Sequence, residues 1–262
     1  MAELDDAYAI QSHVPDAADI LAQLPYRSAE FRQSLGERVQ TGISYGSSDR
    51  QVFDLFQPLS KPKGTLIFIH GGYWRIMHSS LHSFLAAGAL ARGWAVAMPS
   101  YDLCPDVQIH DISQQVAKSV SAIAARTTGP ISISGHSAGG HLAARMLDPA
   151  LVSSDIAARY HTVIPIAPLA DLRPLLKTSM NDDFRLTPEQ AEAESPILMQ
   201  ARYPSRAAVW VGSDERLALL DQARWLSHAW DIDMVLVPDR HHFDVINALL
   251  EPDSNLVRLL TS

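Results

Sequence analysis

Short apolar runs alternate with longer amphipathic stretches along most of the chain. The apolar runs cover residues 65–69, 94–98, 163–167, 207–211 and 234–237, and residues 131–134 alternate apolar and hydroxyl side chains. Helical spacing of apolar positions is found at 79–92, 109–126 and 217–230, and again from residue 245. Wholly apolar runs are typical of parallel strands buried on both faces. Two further strands, at 43–45 and 52–56, form a hairpin-like pair at the start of this pattern. The whole pattern predicts an α/β fold: a doubly wound, mostly parallel sheet of about eight strands with helices on both faces.

Two segments lie outside this alternation. Residues 1–40 are polar and predict an N-terminal helical extension in two pieces, with Pro25 ending the first helix and Ser28 capping the second. Residues 171–200 are irregular, contain three prolines, and are predicted to form a small lid over the site. Since no linker or repeat divides the chain, we expect one domain, 1–262.

Composition narrows the class of protein. Of the 262 residues, 47% are hydrophobic and 19% are charged, which suits a large single core. Twenty-one basic and 29 acidic residues give a net charge of −8 without charge runs, which argues against nucleic acid or an anionic membrane as partner. A single cysteine and an acidic start without a long apolar run lead us to expect a cytoplasmic protein.

A G-x-S-x-G pentad at Gly135–Gly139 places Ser137 between the strand pattern of 131–134 and a helical segment. Strand, corner and helix is the context in which this pentad forms a nucleophile elbow, exposing the serine at the edge of the sheet. The same pentad also surrounds Ser44, but there the chain continues through a polar turn into another strand. We therefore interpret Ser137 as the candidate nucleophile and Ser44 as an ordinary strand or turn residue.

A serine nucleophile needs a base and an acid that orients it, and both follow later strands in the expected chain order. His242 comes after the strand ending at residue 237 and precedes an apolar phenylalanine, which favours it over His241 as the base. Asp214 and Glu215 both follow the strand ending at residue 211. Because Asp214 could cap the next helix, Glu215 is the preferred acid and Asp214 remains the alternative.

An oxyanion hole is the third requirement of acyl transfer. Gly71 and Gly72 follow the buried strand 65–69, where two adjacent glycines allow backbone N–H groups to point at one spot. The N–H of Ala138, directly after the nucleophile, would complete the hole. Tyr73 and Trp74 come next in the chain, and we expect them to form walls of the substrate pocket.

Four other histidine or cysteine residues are interpreted as having no part in the chemistry. His70 is interpreted as a buried histidine that braces the glycine loop, and Cys104 as a buried, unreactive thiol. His78 and His82 have the four-residue spacing of metal ligands, but no third ligand accompanies them, so a solvated helix face is predicted and no metal site. No phosphate-binding or dinucleotide-binding glycine motif is suitably positioned, and the predicted chemistry needs no cofactor.

These motifs resemble the α/β-hydrolase superfamily of the hormone-sensitive-lipase and carboxylesterase type. HGGYW at 70–74, with tyrosine in place of a third glycine, is most similar to the arylformamidase (kynurenine formamidase)-like branch. GHSAGG at 135–140, YDLCP at 101–105, DQAR at 221–224 and HHF at 241–243 also resemble that branch. The resemblance runs from about residue 45 to the end of the chain. It implies hydrolysis through an acyl-enzyme, with the acid at Glu215.

The sequence thus predicts a serine hydrolase acting on a small-molecule ester or N-formyl amide. A general carboxylesterase is an alternative within this class, because the sequence leaves the pocket undefined. A non-catalytic ligand-binding protein on the same fold is the alternative outside it. Loss of the serine or histidine would mark such a protein, and both are present. The sequence leaves the oligomeric state open, a homodimer being one option.

Overall fold

In a computed structural model that describes residues 2–262, the apolar runs form one eight-stranded sheet. The strands are β1 (Val39–Ser44), β2 (Val52–Phe56), β3 (Thr65–Ile69), β4 (Ala95–Pro99), β5 (Ile131–His136), β6 (Tyr160–Ile166), β7 (Arg206–Gly212) and β8 (Asp233–Val237). Their spatial order is β1-β2-β4-β3-β5-β6-β7-β8. The pairs β1–β2 and β2–β4 are antiparallel and the others are parallel. The predicted fold class is therefore confirmed.

Helices connect these strands and cover the sheet. The α-helices are α1 (Asp5–Tyr8), α2 (Ala17–Leu35), α3 (Ala87–Ala91), α4 (Ile109–Arg126), α5 (Ala138–Arg145), α6 (Ser154–Ala157), α7 (Asn181–Phe184), α8 (Pro188–Ala193), α9 (Leu217–Trp230) and α10 (Asn255–Thr261). Short 3₁₀ turns lie at Gln11–His13, Gly36–Arg38, Ser79–Leu81, Ser83–Ala86, Arg173–Lys177, Pro196–Leu198 and Val245–Leu250. The bounds of α4 and α9 are those predicted from apolar spacing.

The central position of β3 in the sheet explains why its sequence is almost wholly apolar. Successive side chains of a strand point to opposite faces of the sheet. Ile67 and Ile69 pack into a core with α4, α5 and α9, whereas Leu66 and Phe68 pack into a second core with α2, α3 and α10. Both faces of β3 are therefore removed from water. The candidate site residues directly follow the carboxyl ends of four strands: β3, β5, β7 and β8.

The N-terminal extension differs from the prediction. One continuous helix, α2, replaces the two predicted pieces, and Pro25 lies within it. Leu24, Ser28 and Leu35 share the buried side of α2, while Pro25 is exposed. Proline removes one helical hydrogen bond, but on the exposed side water can bind the Leu21 carbonyl that loses its partner. Burial of the apolar face thus outweighs the helix-breaking tendency of one residue.

The predicted helix at 79–92 is also replaced by shorter elements. Two 3₁₀ turns occupy its first part and α3 covers only Ala87–Ala91. Serines 79, 80 and 83 favour caps and turns because their hydroxyls compete for backbone hydrogen bonds. The side chain of His78 accepts the N–H of Ser80 and caps the first turn. Similarly, the predicted last helix divides into the turn Val245–Leu250 and α10.

The position of Pro25 leads to a prediction about stability. Pro25→Ala should raise the free energy of unfolding by about 1–2 kcal/mol, because it restores a helical hydrogen bond, partly offset by a more flexible unfolded chain. Urea unfolding followed by circular dichroism measures the change. Gln23→Ala, at another exposed position of α2, is the control and should change stability by less than about 0.5 kcal/mol. A loss of stability in Pro25→Ala would contradict a continuous α2.

Candidate active site

Ser137 occupies the one-residue corner between β5 and α5. Its backbone has φ 58° and ψ −119°, a conformation that residues other than glycine rarely adopt. Its N–H donates to the Ile166 carbonyl on β6 at 2.8 Å, which fixes the corner against the neighbouring strand. The side chain is 3% exposed and lines a cavity of about 530 Å³. The first turn of α5 provides N–H groups and a helix dipole that favour negative charge here.

The glycines on either side of Ser137 have no room for a side chain. A Cβ on Gly135 would lie 2.1 Å from the carbonyl oxygen of Gly139, and a Cβ on Gly139 would lie 2.1 Å from that of Ile69. Both distances are far inside van der Waals contact. The pentad therefore encodes a crossing of β3, β5 and α5 at which the backbones touch.

Ser44, the serine of the second pentad, has none of these features. It is the exposed last residue of β1, and its hydroxyl donates to the Gly46 carbonyl at 2.8 Å. It does not line the cavity of Ser137. The interpretation of Ser44 as an ordinary strand residue agrees with the structure.

His242 and Glu215 form a buried hydrogen-bonded pair. His242 Nδ1 lies 2.6 Å from Glu215 Oε2, and the other carboxylate oxygen accepts the N–H of Arg216 at 2.9 Å. The close approach depends on Gly212 at the end of β7, where a Cβ would be 2.0 Å from the Arg240 carbonyl oxygen. The loops after β7 and β8 thus pass in backbone contact. A carboxylate bound to Nδ1 fixes the tautomer that leaves the Nε2 lone pair available.

Asp214, the alternative acid, is exposed and turned elsewhere. Its Oδ1 accepts the Ser213 hydroxyl at 2.9 Å. The helix cap predicted for Asp214 is absent, because Arg216 is the N-cap residue of α9 and no side chain caps that helix. The structure therefore brings Glu215, and not Asp214, to His242.

Two aromatic rings enclose His242. The His136 ring lies 4.4 Å from it at 46°, and the Phe243 ring lies 5.5 Å away, edge-on. Burial, reinforced by the nearby His242, lowers the pKa of His136 well below its usual value, so His136 is neutral. His241 is half-buried and turned towards Asp244, 3.3 Å from its carboxylate. Of the two adjacent histidines, His242 is the one that reaches the cavity.

The two loop glycines and Ala138 meet beside Ser137. A Cβ on Gly71 would lie 3.1 Å from the Cβ of Ser137 and 2.7 Å from the His136 carbonyl oxygen, so the loop touches the corner. Within residues 2–262, the N–H groups of Gly71, Gly72 and Ala138 have no hydrogen-bond acceptor. Unused N–H groups at this edge of the sheet are available to an oxyanion.

The loop after β3 is strained and braced. Tyr73 and Trp74 both have positive φ, at 50° and 54°. The Nδ1–H of His70 donates to the Gly71 carbonyl at 2.8 Å, and its ring stacks on Tyr101 at 4.3 Å. Burial lowers the pKa of His70 well below its usual value, so it braces the loop as a neutral ring. This agrees with its predicted role.

Only one of the two predicted pocket walls lies at the cavity. Tyr73 lines it, and its hydroxyl donates to the Tyr8 carbonyl at 2.8 Å. Trp74 is fully buried and absent from the lining, with edge-on contacts to His141 and Phe184 at 5.0 and 5.6 Å. The prediction for Trp74 is therefore wrong. Its positive φ turns the side chain into the core below the loop.

The cavity is covered mainly by the N-terminal extension, which sequence reasoning missed. The extension contributes these lining residues: Tyr8, Ala9, Ile10, Gln11, Ser12, Ile20, Leu21 and Leu24. Segment 171–200 contributes Met180, and its predicted role as a lid is not confirmed. The apolar residues at 20, 21 and 24 do predict that one face of this helix is buried. Their spacing does not predict that the face covers a cavity beside Ser137.

Four hydrogen bonds attach this extension to the loop after β3, to α9 and to the loop after β7. Besides the Tyr73–Tyr8 contact, the Tyr8 hydroxyl accepts from Gln222 Nε2 at 2.9 Å. The Arg216 guanidinium donates to the Asp6 carbonyl at 2.7 Å and lies 3.1 Å from the Asp6 carboxylate. Arg216 directly follows Glu215, so the cover and the acid loop are joined.

The structure contradicts the solvated helix face predicted for His82. The side chain is 5% exposed and lines the cavity, while His78 is half-buried. Burial lowers the pKa of His82 to about 4. Within residues 2–262, no three His, Cys, Asp or Glu side chains form a group that could hold a metal ion.

Cys104 is buried, as expected, and burial raises the pKa of its thiol to about 12. The thiol is therefore protonated and unreactive at neutral pH. None of the helices described, which span residues 2–262, has the length and apolarity needed to cross a lipid bilayer.

Fold and site together define an α/β hydrolase. The family model for the α/β hydrolase fold matches residues 66–218, more than half of the chain. The chain therefore belongs to this family, in keeping with the hormone-sensitive-lipase and carboxylesterase type indicated by its motifs.

Relatives and solved structures agree with this assignment. The kynurenine formamidase of Salmo salar is 26% identical over 266 residues, covering 95% of this chain and 90% of that one. The kynurenine formamidase of Danio rerio is 25% identical, covering 83% and 79%. A crystal structure from Silicibacter sp. TM1040, provisionally named a thioesterase, has a TM-score of 0.99 at 51% identity over all of both chains. An esterase of Pyrobaculum calidifontis, 16% identical with a TM-score of 0.71 and covering 94% and 91%, shares the fold.

The backbone crossing at the elbow predicts a large difference between two glycine substitutions. Gly139→Ala should destabilise the protein by about 3 kcal/mol or more, because the new methyl group collides with the backbone of β3. Gly36→Ala is the control: the space around it is open, so only its backbone conformation, φ 56° and ψ −125°, opposes a side chain, and we expect a cost of about 1–2 kcal/mol. Urea unfolding of the two variants measures the difference. Equal costs would contradict the crossing.

Proposed function

We propose that this hydrolase is a serine enzyme that cleaves a small ester, thioester or N-formyl amide through an acyl-enzyme. The observation that carries the proposal is the buried His242–Glu215 hydrogen bond of 2.6 Å. It lies at the same cavity as Ser137, whose backbone is held in a strained corner. Backbone strain and buried ionisable pairs both reduce the stability of a folded protein, and both are found most often at functional sites.

In the first half of the reaction, Ser137 Oγ attacks the acyl carbon while His242 Nε2 takes the hydroxyl proton. Glu215 accepts the hydrogen bond of Nδ1–H and stabilises the imidazolium that forms. The carbonyl oxygen becomes an oxyanion that accepts hydrogen bonds from the N–H groups of Ala138 and of the loop glycines Gly71 and Gly72. The bond to the leaving group then breaks, and His242 returns the proton to the leaving oxygen, sulfur or nitrogen.

In the second half, water attacks the acyl-enzyme. His242 Nε2 takes one proton from the water as the new carbon–oxygen bond forms, and the same N–H groups bind the second oxyanion. Collapse breaks the bond to Ser137 Oγ, which recovers its proton from His242. The products are the carboxylic acid and the free enzyme, so protons balance without a cofactor.

The choice of acyl compounds as substrates rests on the relatives and on the cavity. Formamidase is the name of the two fish proteins, and thioesterase is the provisional name of the Silicibacter protein. Amides, esters and thioesters all react at an acyl carbon, so one arrangement of nucleophile, base and N–H donors serves each of them. A cavity of about 530 Å³ is within the usual range for small-molecule sites.

Replacing the nucleophile tests the proposal directly. Ser137→Ala should lower kcat on a short 4-nitrophenyl ester by about 10⁴-fold or more, because no other hydroxyl is held in the corner. A fluorophosphonate probe should label the wild-type protein at Ser137, as located by peptide mass spectrometry. Ser44→Ala is the control and should retain both labelling and turnover. Full activity in Ser137→Ala, or labelling at Ser44, would refute the proposed nucleophile.

The acid is tested by a pair of isosteric substitutions. Glu215→Gln should lower kcat by about 10³–10⁴-fold, because an amide no longer stabilises the imidazolium of His242. Asp214→Asn, one residue earlier on the same loop, should change kcat by less than about threefold, because its side chain bonds only to Ser213. Steady-state kinetics with thermal melting of both variants separates loss of function from loss of fold. The reverse order of effects would assign the acid to Asp214.

A further inference from the structure

The cavity contains an imidazole that the proposed chemistry does not use, that of His82. Its ring is stacked parallel to the His70 ring, 6.0 Å away at 11°, and lies 6.2 Å from the Phe68 ring. The residue is 5% exposed and lines the cavity of Ser137. Because His70 directly precedes Gly71, His82 lies beside the loop that carries the proposed oxyanion donors.

The hydrogen bonds of His82 determine which group it presents. Its Nδ1 lies 3.3 Å from the His78 carbonyl oxygen, which can only accept, so Nδ1 carries the proton. Burial lowers the pKa of His82 to about 4, and the ring is therefore neutral at neutral pH. Nε2 then holds a lone pair. Within residues 2–262 it has no hydrogen-bond partner, and it is not among the polar atoms closed off from solvent.

Two tyrosine hydroxyls of the cavity are already hydrogen-bonded, and two nearby histidine nitrogens are closed off from solvent. The hydroxyls of Tyr8 and Tyr73, which also line the cavity, take part in hydrogen bonds with Gln222 and with the Tyr8 carbonyl. The Nε2 atoms of His70 and His136 are closed off from solvent and have no partner. His82 Nε2 thus differs from them in being both unused by the fold and accessible.

The charge of the cavity restricts what His82 can bind. Within residues 2–262, no Asp, Glu, Lys or Arg side chain lines it, and much of the lining is apolar, including Ile10, Ile20, Leu21 and Leu24. A charged substrate group would lose its hydration there without gaining a counter-charge. A neutral O–H or N–H group, by contrast, gains an acceptor that is otherwise unpaired in an apolar surrounding.

We propose that His82 is a specificity-determining residue that accepts a hydrogen bond from an O–H or N–H group of an uncharged, otherwise apolar substrate. This inference rests on the proposed serine hydrolase function. It predicts that the enzyme distinguishes two substrates that differ only in such a donor. A single hydrogen bond to a buried acceptor accounts for a preference of about tenfold.

Two matched substrate pairs test the proposal. One pair carries the donor in the acyl group: 4-nitrophenyl 3-hydroxybutyrate against 4-nitrophenyl butyrate. The other carries it in the leaving group: formanilide against N-methylformanilide, which lacks the amide N–H. We expect wild-type kcat/KM, relative to spontaneous hydrolysis, to favour the donor member of at least one pair by about tenfold. In His82→Phe, which keeps an aromatic ring against His70, this ratio should fall to about one.

Two further variants complete the experiment. His82→Gln retains an acceptor and should keep part of the preference, while His228→Phe, at an exposed position of α9, should keep all of it. No donor preference in the wild-type enzyme, or an unchanged ratio in His82→Phe, would overturn the role of His82. If the wild-type protein neither turns over these esters nor is labelled by a fluorophosphonate at Ser137, the proposed function itself fails, and the inference with it.

Discussion

The candidate active site depends on one steric constraint, the contact of three backbones at the corner that holds Ser137. β3, β5 and α5 approach so closely that Gly135 and Gly139 cannot carry a side chain. This contact keeps Ser137 in a backbone conformation that costs free energy, and it brings the loop after β3 against the same corner. A second contact of this kind, at Gly212, joins the loops after β7 and β8. Glycine is required at these crossings because the backbone itself forms the contact surface, and this contact sets the positions of the proposed catalytic groups.

The cavity has a different origin, because its walls come from a segment far from the site in sequence. The N-terminal extension crosses the carboxyl edge of the sheet, and Tyr8 is bonded to the oxyanion-side loop and to α9. Asp6 is bonded to Arg216, next to Glu215. The cover is thus hydrogen-bonded on two sides of the cavity, at the loop after β3 and at the loop that carries Glu215, although no residue of the cover takes part in the proposed chemistry.

Local signals explain what could be predicted from the sequence. The apolar runs specify strands buried on both faces, and the pentad at Ser137 specifies a corner, because each depends on neighbours within a few residues. The choice between Asp214 and Glu215 depends on a loop geometry created by the contact at Gly212, which spacing does not encode. The prediction for Trp74 is wrong because the direction of its side chain follows from a positive φ that only the folded loop imposes. The cover over the cavity was missed for the same reason: its contacts are long-range, and an amphipathic helix does not specify its partner.

Of the five buried histidines in residues 2–262, His70, His82, His136 and His242 lie at the loop after β3, the cavity or the strand end beside Ser137, and their surroundings separate their roles. His70, His82 and His136 have no carboxylate hydrogen-bonded to their rings, and burial lowers the pKa of each, so they remain uncharged. Among these four, His242 is the one whose ring is hydrogen-bonded to a buried carboxylate, that of Glu215, at 2.6 Å. His242 is therefore the one of these rings that reaches both Glu215 and the cavity, as the proposed proton transfer requires. The other three are neutral aromatic groups. A neutral ring can brace a loop or accept a hydrogen bond, and the proposed transfer of the Ser137 proton is left to His242.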